Sequence, residues 1–325
     1  MLILKDNHPA RDKLKHLTEI ITPNEAQIAD IRPLRLGILN LMPIMDETEK
    51  DILKSIGHSI LQIEPVWIKI ASREKNGKNT SLEHVNDFYV TMEEATAERN
   101  LDGLIITGAP VELLNFEDVE YWDELKKIMD YAKENIYCTM FLCWAAMAAA
   151  YHFYNIPKIN YPQKLVGCFT ANNVQQDHHP QTKGMNPIVE ICQSRYSGID
   201  QRKLNSLIAS WEIIELLYSS EKPKALNGNE IGVVAFASKD LSGIYNLGHF
   251  EYHERTIDQE VKRDKSKNSE LNYHVENYYY NPQELDGIKP ISWRSERTIF
   301  YGNFLNIIYQ LMNKNIKAHK KFVLI

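Results

Sequence analysis

The stretch Ile136-Tyr-Cys-Thr-Met-Phe-Leu-Cys143-Trp-Ala-Ala-Met-Ala-Ala-Ala150 decides the fold, because an apolar, strand-like run passes directly into an Ala-rich, helix-favouring one. Cys143 lies at the junction. A nucleophile on a sharp turn between strand and helix projects its side chain, and the first N–H groups of the helix point at the group it attacks. The alternative is that Cys143, between Leu142 and Trp144, is a small buried hydrophobic residue. Motifs elsewhere in the chain are needed to decide between these two interpretations.

Short apolar runs alternate with amphipathic stretches of helical period over most of the 325 residues. This alternation is typical of βαβ units, in which helices cover both faces of parallel strands. The sequence therefore predicts an α/β protein with a mostly parallel open sheet flanked by helices. Strands are predicted at 34–41, 62–70, 103–107, 138–142, 188–192, 212–218, 232–237 and 243–247, and helices at 46–56, 118–134, 144–154, 256–264 and 296–313.

Charge and composition argue against several classes of protein. The chain carries 37 Lys and Arg against 43 Asp and Glu, without a basic stripe, so we expect no nucleic-acid partner. Residues 1–30 lack an apolar run and no stretch of 18 uninterrupted apolar residues occurs, so we expect a cytoplasmic protein without a membrane span. The four cysteines fit no zinc pattern, so free thiols and neither a metal nor a permanently bound cofactor are expected.

The length allows one large domain or two of moderate size, and we expect a single domain over residues 1–325. Residues 1–32 form an N-terminal extension. Residues 314–325 form a tail, basic and then apolar, for which an ordered edge, an interface and disorder all remain open. Three polar segments are predicted as loops, namely 72–81, 219–230 with Asn227-Gly228 at a hairpin tip, and 262–270.

A cysteine nucleophile requires a base and a group that orients the base. The segment Gly248-His249-Phe250-Glu251 follows the predicted strand 243–247, which places His249 at the carboxyl edge of the sheet, where Cys143 also emerges. Glu251 is two residues further on and lies on the same side of an extended segment, so it is placed to accept the imidazole N–H. Because the chain has 11 histidines, His-x-Glu alone carries little weight, and its pairing with the cysteine indicates catalysis.

Other polar segments give weaker signals. Thr107-Gly-Ala-Pro-Val-Glu112 ends a predicted strand, and a free N–H near Gly108 suits an oxyanion, although a turn without chemistry fits equally well. Asp177-His178-His179 lacks a third ligand and is predicted to be a solvated loop rather than a metal site. The chain has no Gly-rich phosphate-binding loop of the kind that nucleotide hydrolases and dinucleotide-dependent oxidoreductases usually have, so the sequence does not favour either class.

Motifs along nearly the whole chain carry a family resemblance, and the main ones are Asn7-His-Pro-Ala-Arg-Asp-Lys-Leu14, Ile38-Leu-Asn-Leu-Met-Pro43, Glu47-Thr-Glu49, Gly103-Leu-Ile-Ile-Thr-Gly-Ala-Pro-Val-Glu112, Phe116-Glu-Asp-Val-Glu-Tyr-Trp122, Cys143-Trp144, Ser194-Arg-Tyr196, Gly248-His-Phe-Glu-Tyr252 and Arg263-Asp264. This collinear set resembles the homoserine O-acyltransferase family of the methionine pathway, which comprises homoserine O-succinyltransferases and O-acetyltransferases. The resemblance implies a flavodoxin-like fold of the class I glutamine amidotransferase type. It also implies a homodimer, because the family commonly forms one.

The resemblance implies a covalent, ping-pong mechanism. The Cys143 thiolate would take an acyl group from coenzyme A, with His249 as the base and Glu251 as its orienting carboxylate. The backbone N–H of Trp144 would help to hold the oxyanion, which agrees with its position at a helix start.

The resemblance also implies how the substrates are bound. Arg263 would bind the carboxylate of the amino acid, while Lys164 and Ser194 would line the acceptor site. Acyl choice in this family follows the residue after Ala-Pro-x, which here is Glu112, the acetyl-type residue. A carboxylate at this position fills space and repels the free carboxylate of succinate, so acetyl-CoA is the expected co-substrate.

Departures from the family pattern leave the acceptor open. Ile44 and Met45 replace the usual lysines, and Met147 and Gln193 also differ from the pattern beside the expected site. Since one methylene is worth only about 1–3 kcal/mol of discrimination, serine is an alternative acceptor to homoserine. The sequence is also compatible with a homoserine O-succinyltransferase, with an amidotransferase-type hydrolase and with a protein that binds metabolites without catalysis.

Overall fold

Parallel strands form the centre of the sheet that organises the chain, as the alternating pattern predicts. This computed structural model describes residues 1–28, 31–73, 76–267 and 274–322, with side chains as far as residue 314. Across these ranges the strands are β1 Leu2–Ile3, β2 Ile20–Ile21, β3 Leu34–Leu39, β4 Ile63–Ile68, β5 Tyr89–Val90, β6 Gly103–Ile106, β7 Cys138–Leu142, β8 Lys158–Asn173, β9 Ile188–Ile199, β10 Ile213–Ser219, β11 Gly232–Ser238, β12 Gly243–Asn246, β13 Val275–Glu276, β14 Tyr279–Asn281 and β15 Asp286–Ile288.

Helices cover the sheet, and the predicted α/β fold class is confirmed. Over the same ranges they are α1 Ala10–Leu14, α2 Pro23–Ile28, α3 Met45–Ile56, α4 Leu82–Phe88, α5 Met92–Thr96, α6 Trp122–Asn135, α7 Trp144–Tyr154, α8 Gln201–Ala209, α9 Thr256–Lys267 and α10 Arg294–Phe322.

The central strands run in the order β12-β7-β6-β3-β4, and each neighbouring pair is parallel. From β3 the chain first builds β4 on one side and then returns to build β6 and β7 on the other. A reversal of this kind opens a crevice beyond the carboxyl ends of the strands, which is where ligands bind in open α/β sheets. Cys143 follows β7 directly at this edge.

An antiparallel wing of β8, β9, β10 and β11 extends the sheet beyond β12. The predicted hairpin tip is present between β10 and β11, and Asn227 adopts a left-handed conformation there, with φ of +51°. Strand β8 was not predicted. Pro162 lies inside it, and the register with β9 shifts between Asn160 and Leu165, so the period-two pattern that indicates a strand is broken.

Two further sequence predictions need correction. Helix α8 was missed, although Asp200 caps its N-terminus by accepting hydrogen bonds from the N–H groups of Arg202 and Lys203. The prediction of a loop over 262–270 is wrong as far as Lys267, because α9 extends to that residue, and positions 268–270 lie outside the described residues. A charge run on one face of a helix and a charged loop have the same composition.

The N-terminal segment adds two strands to the sheet, and the C-terminal segment forms a long helix. In the predicted extension 1–32, β1 pairs in parallel with β2 and with β4, at the sheet edge. Helix α10 continues past the predicted end at 313 to Phe322, and residues 323–325 of the predicted tail lie outside the described part.

The core lies on both faces of the sheet. Helix α7 is packed with no exposed side chain from Ala148 to Ala150, because alanine lets a helix lie close to the strands. Tyr245 of β12 stacks between Phe141 and Phe236, with ring centroids 5.0 and 4.5 Å away. These contacts fix the strands that carry the predicted catalytic residues.

Candidate active site

Cys143 occupies the sharp turn that the sequence predicts. It is the residue before α7 and has φ of +50° and ψ of −113°, a conformation that a side chain other than glycine adopts only under constraint. Its backbone N–H donates to the carbonyl of Asn246 in β12, at 2.7 Å. Gly108 lies alongside, and a Cβ at this glycine would be 3.2 Å from the Cβ of Cys143 and 3.7 Å from the backbone nitrogen of Trp144. The absence of a side chain at Gly108 keeps the space beside the thiol open.

His249 and Glu251 lie beyond the carboxyl end of β12. Nδ1 of His249 and Oε1 of Glu251 are 2.5 Å apart, and both side chains are buried. The backbone N–H of His249 donates to the carbonyl of Cys192 at 2.8 Å, and its ring stacks on Tyr252 with centroids 4.0 Å apart. The imidazole therefore has a fixed plane and one nitrogen committed to a carboxylate.

Charge at this site favours the protonated imidazole. Burial alone would lower the pKa of His249, but the Glu251 carboxylate, which is hydrogen-bonded to the ring, and the nearby Cys143 sulfur raise it well above its usual value. The structure thus brings together the three residues that the sequence predicts as catalytic. The arrangement is that of a nucleophile, a base and an orienting acid.

Trp144, the predicted oxyanion residue, is the first residue of α7. Its indole is fully buried against Phe116 and Tyr121, which fixes the first turn of the helix. The backbone N–H groups at the start of a helix have no intrahelical partner, so that of Trp144 is suited to receive an oxyanion beside Cys143.

Lys164, Ser194 and Arg263, the predicted acceptor-site residues, meet around two carboxylates. Nζ of Lys164 is 2.7 Å from Asp264 Oδ2, and the Arg263 guanidinium lies 3.0–3.1 Å from Asp264 Oδ1. Ser194 Oγ donates to Oε2 of Glu260 at 2.5 Å. Burial alone would lower the pKa of Lys164, but Glu260 and Asp264 raise it above its usual value.

Glu260 is the site residue that the sequence analysis missed. Its Oε1 accepts a hydrogen bond from the Tyr252 hydroxyl at 2.8 Å, so both carboxylate oxygens have hydroxyl donors. It also lines the cavity beside His249. The signal that would have identified it is its spacing, because Glu260 is three residues before Arg263 and therefore lies on the same face of α9.

Glu112, the predicted acyl-specificity residue, follows β6 at the same edge of the sheet. Burial is the main factor that raises the pKa of its carboxyl, while Lys164, Glu260 and His249 all lie within electrostatic reach. Lys158 of β8 donates to the backbone carbonyl of Glu112 and so ties this loop to the antiparallel wing.

A cavity of about 470 Å³ opens beside these residues. One wall is formed by Gly108, His249 and Glu251, and a second by α9 with Glu260 and Arg263. A further part of the lining comes from the segment after β3 and from α3, with Met42, Pro43, Ile44, Thr48, Asp51 and Ile52. The size of the cavity and its mixture of polar and apolar lining residues suit a ligand that has both a small polar part and an apolar chain.

Comparison with known proteins identifies the family. The family profile described as homoserine O-succinyltransferase matches residues 1–314. The chain belongs to the homoserine O-succinyltransferase family. It is 38% identical over 310 residues to a homoserine O-acetyltransferase of Jannaschia sp. (strain CCS1), covering 94% of this chain and 93% of that one. It is 35% identical over 315 residues to a homoserine O-acetyltransferase of Bacillus cereus (strain AH187), covering 95% and 97%.

As a member of the homoserine O-succinyltransferase family, the chain is an acyltransferase. A glutamine amidotransferase from Thermotoga maritima shares its fold, with a TM-score of 0.52 over 86% of this chain and 99% of that one, at 11% sequence identity. The glutaminase domain of Trypanosoma brucei CTPS gives a TM-score of 0.51 over 85% of this chain and 94% of that one, at 9% identity. The predicted glutamine amidotransferase-like fold is confirmed.

Three structural findings concern the metal site, the membrane span and the loop considered above. Among the described residues, no three His, Cys, Asp or Glu side chains are grouped so as to hold a metal ion, and no helix has the length and apolar character needed to cross a bilayer. The prediction that Asp177 to His179 form a solvated loop is wrong for His179. This side chain is buried, and its Nδ1 accepts the backbone N–H of Gln181 at 3.1 Å.

Proposed function

We propose that this protein transfers the acetyl group of acetyl-CoA to the side-chain hydroxyl of L-homoserine, through a thioester on Cys143, in methionine biosynthesis. The observation that carries the proposal is the placement of Cys143, at the turn between β7 and α7, within electrostatic reach of an imidazole that a buried carboxylate orients. Membership of the homoserine O-succinyltransferase family and the names of the relatives support the reaction class.

In the first half-reaction the Cys143 thiolate attacks the acetyl carbonyl. The new S–C bond gives a tetrahedral oxyanion that faces the N–H of Trp144 at the start of α7. The C–S bond to coenzyme A then breaks, and the protonated His249 gives its proton to the leaving thiolate. Acetylated Cys143, neutral His249 and free coenzyme A result.

In the second half-reaction neutral His249 takes the proton of the homoserine hydroxyl as its oxygen attacks the thioester carbonyl. The tetrahedral intermediate collapses with loss of the Cys143 thiolate. O-acetylhomoserine leaves, and the thiolate and imidazolium are restored. The Glu251 carboxylate stays ionised and holds the same ring nitrogen throughout.

Charged residues of α9 that line the cavity support an amino-acid acceptor. Arg263 presents a guanidinium for the carboxylate, and Glu260 presents a carboxylate for the ammonium group. The hydroxyl donors on Glu260, from Ser194 and Tyr252, hold its oxygens in place. A free amino acid in the cavity therefore meets one group of each sign.

Glu112 supports the choice of acetyl over succinyl. Its carboxyl lies at the edge of the sheet that carries Cys143, within electrostatic reach of His249. A second carboxylate from a succinyl group would be repelled at this position, whereas an acetyl group is small and neutral. Ile44, which lines the cavity beside His249, is apolar and provides no cation there for a succinyl carboxylate.

An acceptor screen tests the proposal. The purified enzyme is given acetyl-CoA or succinyl-CoA with homoserine, serine or no amino acid, and free coenzyme A and acylated product are measured. We expect the highest kcat/KM for acetyl-CoA with homoserine. Preference for succinyl-CoA, for serine or for water would replace the proposal with a succinyltransferase, a serine acetyltransferase or a hydrolase, respectively.

A further inference from the structure

Tyr301 of α10 contacts the catalytic carboxylate from the side opposite the imidazole. Its hydroxyl lies 3.2 Å from Oε2 of Glu251, while Oε1 of the same carboxylate is 2.5 Å from Nδ1 of His249. Each carboxylate oxygen thus has its own donor. Tyr301 is 50 residues away in sequence and is fully buried.

From this geometry we propose that Tyr301 is a positioning residue that fixes the orientation of Glu251 and, through it, the imidazole of His249. The proposal deepens the proposed function, since it concerns the same catalytic group. A carboxylate held at one oxygen only is free to rotate about its terminal bond, whereas one held at both oxygens has a single orientation.

Packing explains why the tyrosine hydroxyl is available as a donor. Burial, together with the charge of Glu251, raises the pKa of Tyr301 well above its usual value, so the hydroxyl keeps its proton. Phe300 and Phe304, its neighbours on α10, are fully buried in the same core cluster, which fixes the helix against the sheet. The donor therefore sits on a rigid element rather than on a loop.

The other charged groups around this carboxylate come from three elements. Asp51 of α3 is buried and lines the cavity beside Glu251, and Arg297 lies one turn before Tyr301 on α10. Both lie within electrostatic reach of Glu251. The Cys143 sulfur lies within electrostatic reach of His249, the partner of Glu251. Beyond His249 the ring of Tyr252 carries its hydroxyl to Glu260. Among these, only Tyr301 donates a hydrogen bond to Oε2 in the described part of the chain.

The Tyr301→Phe variant tests the proposal, because it removes the hydroxyl and keeps the ring. The hydroxyl points its positive end at the carboxylate, so its loss leaves more negative charge to stabilise the imidazolium. We expect the acid limb of acyl transfer to move to higher pH and kcat to fall about tenfold, as for a lost hydrogen bond to a charged group. Tyr309→Phe, on the same helix but 41% exposed, should leave both unchanged.

Alkylation of Cys143 by iodoacetamide gives a readout that needs no acyl donor or acceptor. A more stable imidazolium favours the thiolate, so the pH dependence of alkylation should move to lower pH in Tyr301→Phe. This measurement separates the two proposals. If the enzyme transfers no acetyl group to homoserine, the alkylation profile still reports on Tyr301.

A double-mutant cycle distinguishes positioning from a purely structural role. If Tyr301 acts through Glu251, then Tyr301→Phe should change the alkylation profile much less in a Glu251→Gln background than in the wild type. Equal effects in the two backgrounds, or a Tyr301→Phe enzyme with wild-type kcat and an unmoved pH profile, would overturn the proposal. Should Tyr301→Phe fold poorly, Tyr301→Met removes the donor and fills the space with a flexible side chain, and wild-type kcat with an unmoved pH profile in that variant would likewise overturn the proposal.

Discussion

Nδ1 of His249 and Oε1 of Glu251 lie 2.5 Å apart. The sulfur of Cys143 lies within electrostatic reach of the same imidazole ring. The two residues are separated by only one position, so their contact is local, whereas Cys143 reaches the ring through the pairing of β7 with β12. The sheet therefore assembles the nucleophile with a base that its own segment already orients.

The first prediction concerns Cys143. Cys143→Ala should abolish acyl transfer, by about 10⁴-fold or more, as expected when a covalent nucleophile is removed. Incubation of the wild type with acetyl-CoA alone should give an acetyl adduct on the peptide that contains Cys143, detected by mass spectrometry. Cys138→Ala is the matched control, because Cys138 is a buried thiol at the other end of β7, and it should retain both activity and adduct. An active Cys143→Ala enzyme would exclude the thioester.

The second prediction concerns pH. Because Glu251 and Cys143 raise the pKa of His249, the imidazole stays protonated above pH 6.5, the usual value for histidine. In the acetylated enzyme the Cys143 sulfur carries no charge, so of these two groups only Glu251 still raises the pKa of His249. Attack by the acceptor hydroxyl needs the neutral ring, so the rate of the second half-reaction should rise with pH to a plateau. Glu251→Gln should lower the midpoint of this rise and also lower the plateau.

The midpoint is measured by single turnover of acetylated enzyme with homoserine across a pH series. Glu254→Gln is the control, since Glu254 is an exposed acid three residues beyond Glu251, and it should leave the midpoint in place. A Glu251→Gln enzyme whose midpoint is the same as in the wild type would show that this carboxylate does not set the charge of His249.

Much of this site could be predicted from the sequence, because its signals are local. An apolar run followed directly by an alanine-rich run indicates the turn at Cys143, and His249 and Glu251 lie in one short segment. Glu260 and Tyr301 were not predicted. Glu260 looks like any acid on a polar helix face, and the role of Tyr301 depends on how α10 packs, which a helical period does not specify.

The same distinction holds for the fold. The parallel strands β3, β6 and β7 are predominantly apolar, which is typical of strands buried on both faces, and each was predicted. Strand β8 was missed because Pro162 and its polar neighbours interrupt the alternation, and the pairing with β9 that stabilises it is a tertiary contact.

The third prediction concerns the acyl group. Glu112→Gly should lower the preference for acetyl-CoA over succinyl-CoA by roughly 10-fold or more, because it removes a half-buried carboxylate and leaves room for a longer acid. The measurement is kcat/KM for each donor at saturating homoserine. Glu117→Gln, an exposed acid in the following turn, should leave the ratio unchanged. An unchanged ratio in Glu112→Gly would assign acyl selection to other residues.

The fourth prediction concerns the acceptor. Glu260→Gln should raise KM for homoserine by about 10–100-fold, because a charge-assisted bond to the ammonium group is replaced by a neutral one. Formation of the acetyl adduct on Cys143, which needs no acceptor, should be nearly unaffected. The comparison of adduct formation with steady-state KM therefore separates binding of the amino acid from general damage. Equal losses in both measurements would assign Glu260 to the structure of the site rather than to the acceptor.

The fifth prediction concerns Asp51 and stability. Burial raises the pKa of Asp51 from 3.8 to about 8, so between these values the folded protein holds a proton that the unfolded chain releases. The free energy of unfolding should therefore fall as pH rises through this window. Asp51→Asn removes the titration, so the variant should gain stability relative to wild type, by almost nothing near pH 4 and by up to about 5 kcal/mol near pH 8.

Urea denaturation of wild type and Asp51→Asn at several pH values measures this difference. Asp87→Asn is the matched control, because Asp87 is exposed on α4, and its difference from wild type should stay small across the series. A constant difference between Asp51→Asn and wild type at all pH values would mean that the residue is already ionised in the folded protein. Its charge would then be balanced by Arg297, the cation of α10 that acts on it, and the cavity wall beside Glu251 would carry a negative charge.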